Sequence, residues 1–520
     1  MTIRRGSGQQ NGESAGRRTR LFAAGTNGKP PVRKAVRSAK LATLPVAFAG
    51  RQAAGVGKRA LGRSASEVNR DIQLRTAQHI FEVLGELKGC AAKLGQLLAI
   101  YELALPPEIA EPYRIALSRL QDSAPAMLPS SVHAAMVASM GDNWRWYFRE
   151  FDDRRAAAAS LGQVHRAIWR DGRPVAVKVM YPGGRQAIEN DLEQLRRIST
   201  LAAVFLPGAD VKAVTEAICA CVRAELDYAA EAENQRVFAT EYADDPDIYI
   251  PQVIEQCGDV LITEWLDGTP VPRIIASGAQ AERDRVGMLM VRFVASGALR
   301  TGLLYGDPHP GNFRILPDGR LGVVDFGACS TWPPDGFEEL ASDYCNALFN
   351  GGPTELEAAT RRHGFVQAGR EFDVEALYAL VVPCTEPFKH STYRMTTPWL
   401  RKQVLRVTNP RLSNSVRQTT MPPYFTPFAR SALTLIGVLC QLGTEGPYRD
   451  EVGRWMPEVL AAFVPPVPDD GLPVDLAAVR RQRADTSIPR QSVGWLTGQR
   501  ITQRDNHSHH CGATDAASSS

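Results

Sequence analysis

Three side chains in one stretch have the types and intervals that phosphoryl transfer requires. Asp307 and Asn312 lie five positions apart in Leu303-Leu304-Tyr305-Gly306-Asp307-Pro308-His309-Pro310-Gly311-Asn312-Phe313, and Asp325 opens an Asp325-Phe326-Gly327 triplet shortly after. That chemistry uses one carboxylate beside the nucleophile and a second carboxylate plus an amide on a metal ion. A short strand pair turned at Pro317-Asp318-Gly319 would return all three groups to one spot. Read singly, Asp-Pro and Pro-Gly are ordinary turn formers, so the weight rests on the order and spacing of the two halves together.

Upstream elements must supply the rest of a nucleotide site. Pro174-Val175-Ala176-Val177-Lys178-Val179 alternates with period two, which sends Lys178 to the face opposite its valines, suited to neutralising α- and β-phosphate charge. Before it, Ala156-Ala157-Ala158-Ala159-Ser160 leads into Leu161-Gly162-Gln163-Val164-His165, where a protein kinase would carry a glycine-rich loop over the phosphates. Alanine resists positive φ, so Ala157, Ala158, Ala159 and Ser160 would cradle phosphates differently; five small residues also suit a helix start. The lysine needs an acidic partner, and two helical stretches compete. One carries Glu189, Asp191 and Glu193; the other, read as one helix from about Val211 to Tyr242, carries Glu225, Asp227 and Glu231. Spacing alone does not choose between them. Two strands, Tyr249 to Ile254 and Val260 to Glu264, end at Glu264-Trp265-Leu266, where a two-lobed kinase passes between lobes and main-chain groups meet adenine. Gly306 stands where protein kinases place an arginine before the catalytic aspartate, so the site is of a divergent kind.

Composition bounds the remainder. The 520 residues are 44% hydrophobic and 22% charged, as in soluble globular proteins, and suffice for two lobes plus an extension. A net charge of +4 is too slight to imply nucleic acid as a partner. It is unevenly spread: residues 1–40 hold ten Lys or Arg against Glu13 alone, too polar to bury a core. An Arg-rich, acid-poor start also fits an organellar transit peptide. Nine scattered Cys suit a reducing compartment, and no window reaches eighteen apolar residues, so the expected location is cytoplasmic with at most peripheral membrane contact. His507, His509, His510 and Cys511 cluster in a tail without flanking order to fix them as ligands. The expected organisation is a basic disordered arm at 1–64, a helical extension at 65–150, a β-rich lobe at 151–268, a helical lobe at 269–465 and a disordered tail at 466–520.

The extension carries Ile80, Leu84, Leu87, Ala91, Leu94 and Leu98 at helical steps, and on it sits Lys93-Leu94-Gly95-Gln96. By itself that tetrad reads as a solvated Lys and Gln beside a packing glycine. Together with the Ala-rich loop, Gly162-Gln163-Val164-His165, the Lys178 strand, Glu225-Leu226-Asp227 with Glu231, Gly306 to Asn312 and Asp325-Phe326-Gly327, it resembles the UbiB/AarF/ADCK family of atypical kinases over about Glu67 to Leu442. The resemblance implies an α+β, two-lobed protein-kinase-like fold with an N-terminal helical extension over the active site, and use of ATP, released as ADP, with Mg2+. It implies that Lys178 pairs with Glu231, that Asn312 and Asp325 hold the metal, and that Asp307 stands at the catalytic-base position. Lys93, Gly95 and Gln96 would form a regulatory lid, with Lys93 meeting Glu225 and Asp227. Lid and Ala-rich loop are associated with poor protein phosphorylation and with ATPase-like, small-molecule or lipid-linked activity, in a family supporting isoprenoid-quinone metabolism at membranes. Two other readings stand beside it: a small-molecule phosphotransferase of the aminoglycoside or choline kinase sort, whose pattern lacks the Lys93 motif, and a nucleotide-gated scaffold without turnover.

Overall fold

Alternation along one strand explains how the smaller lobe is built. In the computed structural model, which describes residues 126–456 apart from 160–161, 203–210 and 409–417, β3 (Pro174–Met180) buries Val175, Val177 and Val179 completely on one side. That side packs beneath α1 (Pro129–Met140), whose Val132, Met136 and Met140 recur every four residues and so share a face. The five-stranded sheet runs β1-β2-β3-β6-β5, with β1 at Phe148–Ala159, β2 at Gly162–Trp169, β5 at Val253–Cys257 and β6 at Val260–Glu264. Residues 129–148 therefore belong to this lobe's core. An extension bounded at 150 is too long, because the apolar spacing of α1 has its partner surface on β3 and β6.

Two other expectations change. The Ala run is neither a loop nor a helix start: Ala157, Ala158 and Ala159 are the end of β1, paired with Val164, Gln163 and Gly162. The stretch Val211 to Tyr242 is not one helix. It divides into α3 (Val211–Ala224), which follows α2 (Gly184–Ala202), and α4 (Tyr228–Glu241). Asp227 causes the break, since its carboxylate accepts the amides of Ala229 and Ala230 and caps α4, a role for which Asp is better suited than for a helix interior.

The strand expected from Tyr249 to Ile254 is likewise two. β4 (Ile248–Tyr249) runs parallel to β10 (Leu321–Val323) in the helical lobe, while β5 joins the upper sheet. The helical lobe is organised on α6 (Gln280–Thr301), which follows β7 (Thr269–Pro270) and α5 (Val271–Ser277), and ends at Gly302 in the left-handed conformation. After it come β8 (Leu303–Tyr305), β9 (Phe313–Ile315), β10, β11 (Cys329–Thr331), α7 (Phe337–Phe349), α8 (Pro353–Arg362), α9 (Val374–Val381), α10 (Glu386–Lys389), β12 (Tyr393–Arg394), α11 (Thr397–Thr408), α12 (Thr426–Leu442), β13 (Glu445–Gly446) and α13 (Tyr448–Trp455).

A ring cluster ties α4 to this lobe. Phe238 of α4, Phe293 of α6, Tyr305, Phe313 and Phe326 are all buried together, with Phe238 and Phe326 centroids 5.0 Å apart. Among the described residues one stretch, Pro423–Leu442, is long and apolar enough to cross a membrane by length and composition, with mean hydropathy 1.3. Yet Thr434, Val438, Leu439 and Leu442 on it are buried in the lobe, packed in part against α6.

Candidate active site

Lys178 leaves β3 on the face opposite its buried valines and meets α4. Its Nζ donates to both carboxylate oxygens of Glu231, at 2.7 and 2.9 Å, stands 3.6 Å from Asp325 Oδ1, and lies 5.1 Å from the Tyr228 ring centroid. The pair is deep, with Glu231 only 2% exposed. Burial alone would lower the Lys178 pKa, but the Asp325 and Glu231 carboxylates outweigh it and hold the ammonium well above its usual range. Burial pushes the Glu231 carboxyl up to about 7, opposed by Lys178 and reinforced by Asp325. Neither Glu189 nor Glu216 meets this lysine; they bind Arg223 and Arg196 on the neighbouring helices.

Asp307 and Asp325 approach each other through backbone pairing. β8 runs antiparallel to β11, with Tyr305 opposite Cys329, and Gly306 N–H donates to the Ala328 carbonyl at 2.9 Å. Asp307, which is buried, follows directly on that pairing. Asn312 is placed likewise: its carbonyl accepts Val324 N–H at 2.9 Å, one residue before Asp325. The Asn312 amide nitrogen donates to the Asp307 carbonyl at 3.0 Å, which orients its Oδ1 as the remaining acceptor. The Tyr305 phenol is pushed up by burial and further by the Asp325 and Asp307 carboxylates, and its hydroxyl donates to Val324 O at 3.0 Å.

Asp325 has φ of 67°, the only positive φ at a non-glycine among the described residues. Backbone strain of this kind is held only where surrounding structure over-determines it. Here buried Phe326 anchors the segment, and Asn234 of α4 donates to the Phe326 carbonyl at 3.1 Å. Gly306 is required by close approach, since a Cβ there would lie 2.2 Å from the Ala328 oxygen. Gly306→Ala is expected to cost about 2–3 kcal/mol of stability in chemical denaturation, the scale of overpacking that displaces backbone. Unchanged stability would mean that β8 and β11 are looser than this register implies.

The other residues singled out in the sequence fall in different places. Ala157 pairs with Val164, which pairs with Lys178; directly opposed residues point to the same side, so Ala157 and, two residues on, Ala159 lie on the lysine's face. Ser160 lies outside the described residues, as do Lys93, Gly95 and Gln96. Glu264 turns away. Leu261 pairs with Lys178, and three residues later alternation puts the Glu264 side chain on the far face, where it accepts Tyr249 Oη–H at 2.8 Å and Gln252 N–H at 3.0 Å. The Glu264 N–H donates to the Gln252 carbonyl at 3.0 Å, so only its carbonyl is left to meet a base. Asp227 caps α4, and Glu225, 8% exposed, accepts from Arg430 Nη2 of α12 at 3.3 Å. Tyr228 and Asn234 were not singled out as site residues, although their spacing of three on either side of Glu231 places all three along one side of α4.

Among the described residues no three His, Cys, Asp or Glu side chains group as a metal site. Asn312 Oδ1 and the Asp325 carboxylate, 27% exposed, match instead the two-ligand protein contribution by which Mg2+ is held together with phosphate oxygens. The residues present thus fit Mg2+ with a nucleotide.

Comparison with known proteins agrees with this geometry. The ABC1 atypical kinase-like domain matches residues 119–351. The chain is 30% identical over 324 residues to the atypical kinase coq-8, mitochondrial, of Caenorhabditis elegans, covering 61% of this chain and 42% of that protein. It is 31% identical over 306 residues to the atypical kinase COQ8, mitochondrial, of Saccharomyces cerevisiae, covering 55% of this chain and 59% of that one. It thus spans roughly half the length of these relatives. The solved complex of Rv3197 with erythromycin from Mycobacterium tuberculosis superposes with a TM-score of 0.55 at 36% identity, covering 76% of this chain and 100% of that one. With a protein-kinase-like β-rich lobe above a helical lobe, and these relatives, the chain belongs to the ABC1 family of atypical kinase-like proteins, the UbiB/COQ8 family.

Proposed function

We propose that this chain binds ATP with Mg2+ and acts as an atypical kinase or ATPase serving isoprenoid-quinone or other lipid metabolism. The observation carrying this reading is the Lys178 ammonium gripped by Glu231 at 2.7 Å and standing 3.6 Å from Asp325, on the strand face shared with Ala157. In this role Lys178 neutralises phosphate charge, Glu231 positions Lys178, and Asn312 Oδ1 and Asp325 hold the metal. Asp307 accepts the proton of the attacking hydroxyl or water. Ala157, Ala158, Ala159 and Ser160 cover the phosphates, and the Glu264 main-chain carbonyl meets the base. ATP with Mg2+ supplies the transferable phosphoryl group. The Lys93-Leu94-Gly95-Gln96 motif is assigned the part of a lid, with Glu225 as its acid, restricting protein acceptors.

The names of the relatives support the kinase reading: coq-8 and COQ8 are called atypical kinases and mitochondrial. For this chain we infer cytoplasmic residence with peripheral membrane contact through the basic stretch at 1–40, where ten Lys or Arg would attract anionic lipid. The test is Mg2+-dependent ATP hydrolysis by the full chain, with and without anionic vesicles and a quinone-precursor mimic. Stimulation by either is the expected result. Tight nucleotide binding without hydrolysis would make the protein a scaffold, and rapid phosphorylation of a soluble amine or alcohol would make it a small-molecule phosphotransferase. Because the Mycobacterium tuberculosis relative is solved with erythromycin, that macrolide belongs among the effectors tried.

A further inference from the structure

The motif Gly162-Gln163-Val164-His165 holds two fully buried polar side chains that point away from the nucleotide face. Val164 shares the side of Lys178, so Gln163 and His165 lie beneath the opposite face of β2, together with Ala167 and Trp169 of the core under α1. There they form a chain of hydrogen bonds whose two ends are main-chain groups outside the regular ladder. Gln163 Oε1 accepts Met127 N–H at 2.9 Å, two residues before the start of α1. Gln163 Nε2 lies 2.7 Å from His165 Nε2, and His165 Nδ1 lies 2.9 Å from the Asp152 carbonyl. A carbonyl only accepts, so Nδ1 carries the proton and Nε2 accepts from the glutamine.

The Asp152 end has a structural reason. Between Phe151, paired with Ala167, and Arg155, paired with His165, β1 advances four residues while β2 advances two, so the extra residues bulge out of register. A carbonyl freed by a bulge and turned inward needs a partner, and His165 provides it, with the Phe151 ring stacked on the imidazole at 5.2 Å. The strand that carries Ala157 to Ala159 leaves directly from this bulge.

We propose that Gln163 and His165 are positioning residues that set the Ala-rich hairpin over the nucleotide and couple it to the backbone at Met127, so that displacement of the Met127 backbone changes the grip on phosphates. The relay reaches ligand only through the hairpin; neither side chain touches it. The coupling to phosphates rests on the nucleotide reading above, whereas the mechanical link does not, and the test separates the two.

Each variant of the full chain is read at the end of the relay it does not touch. Gln163→Leu removes the Met127 contact and keeps the volume; amides of 152–159 are expected to exchange with solvent at least about tenfold faster than in Val132→Ala, a core variant that lowers stability without altering the relay. His165→Asn keeps a donor for the Asp152 carbonyl but withdraws the acceptor from Gln163; the Met127 amide is expected to exchange faster in it by a similar factor. With ADP and Mg2+ as the probe, both relay variants are expected to bind about tenfold more weakly, with Val132→Ala near wild type. Exchange at the far ends matching Val132→Ala would overturn the relay whatever the nucleotide does. If the wild type binds no ADP, the functional reading fails and exchange still decides the mechanical link. If Gln163→Leu does not fold, His165→Asn alone carries the test at Met127.

Discussion

Asp325→Asn should abolish Mg2+-dependent ATP turnover, by about a thousandfold or more, while leaving the melting temperature close to wild type. The size follows from withdrawing the one charged ligand proposed for the metal, since metal stabilisation of developing charge is worth several kcal/mol. The unchanged stability follows from the backbone. Asp325 sits at φ of 67°, a region that asparagine tolerates and β-branched residues do not, so the substitution changes charge without adding strain. Its steric cost is equally small, because the side chain is 27% exposed and its contact with Gly327 N–H is long, at 3.4 Å. Asp325→Val is the informative companion: it should lose turnover and stability together. Initial-rate assays with and without Mg2+, alongside thermal unfolding, distinguish the two. Turnover surviving in Asp325→Asn would place the metal elsewhere and remove the basis for the proposed chemistry.

The second large effect concerns Glu231. Replacing it by alanine leaves the Lys178 ammonium buried with Asp325 3.6 Å away as its remaining carboxylate partner, and breaking one side of a buried pair costs about 3–5 kcal/mol. Glu231→Gln is gentler in shape and isolates the electrostatics. Burial holds the Glu231 carboxyl at about 7 in the folded chain, above the 4.5 of an unperturbed glutamate. The folded state therefore binds more protons than the unfolded one between those values, and stability from this group is fully present below the lower value and lost as pH rises through the upper one. Lys178, raised above its ordinary range, adds no change in that window. Denaturation at a series of pH values should show the wild type losing stability relative to Glu231→Gln from about pH 5 to pH 8, with parallel curves outside it. A wild type that instead gained on the variant with rising pH would mean Glu231 is ionised throughout, its burial fully offset by Lys178. In both variants nucleotide affinity should fall, because the Lys178 ammonium loses the carboxylate that grips and positions it.

How much of this was legible in the residues depends on the range over which each feature is decided. The two-lobed α+β fold was implied by the family resemblance, and the order of elements agrees with it: a strand bearing Lys178, helical periodicity near α6 and α12, and turn chemistry between β9 and β10. The intervals among Asp307, Asn312 and Asp325 are local, set by one short hairpin whose register follows from its own turn. Local features of this kind are written in neighbouring residues.

Whatever joins distant segments had to wait for packing. Spacing alone did not choose among Glu189, Asp191, Glu193, Glu225, Asp227 and Glu231, and the contact that selects Glu231 spans 53 positions. It depends on α4 starting afresh at the Asp227 cap and on the Phe238–Phe326 contact that docks it. Glu264 shows the same limit: its place after β6 was visible, but the register of β6 on β3 decides that its carboxylate faces Tyr249. The bulge in β1 and the role of Gln163 and His165 were invisible for a related reason, since extra residues in a strand are defined only against its partner. Sequence by itself therefore determined which chemistry this chain has the groups for, and its resemblance pointed to Glu231 as the partner of Lys178. Tertiary structure decided how that acid reaches the lysine, which carboxylates turn away and which main-chain groups the buried polar side chains satisfy, because those choices are made by surfaces that touch only when the chain is packed.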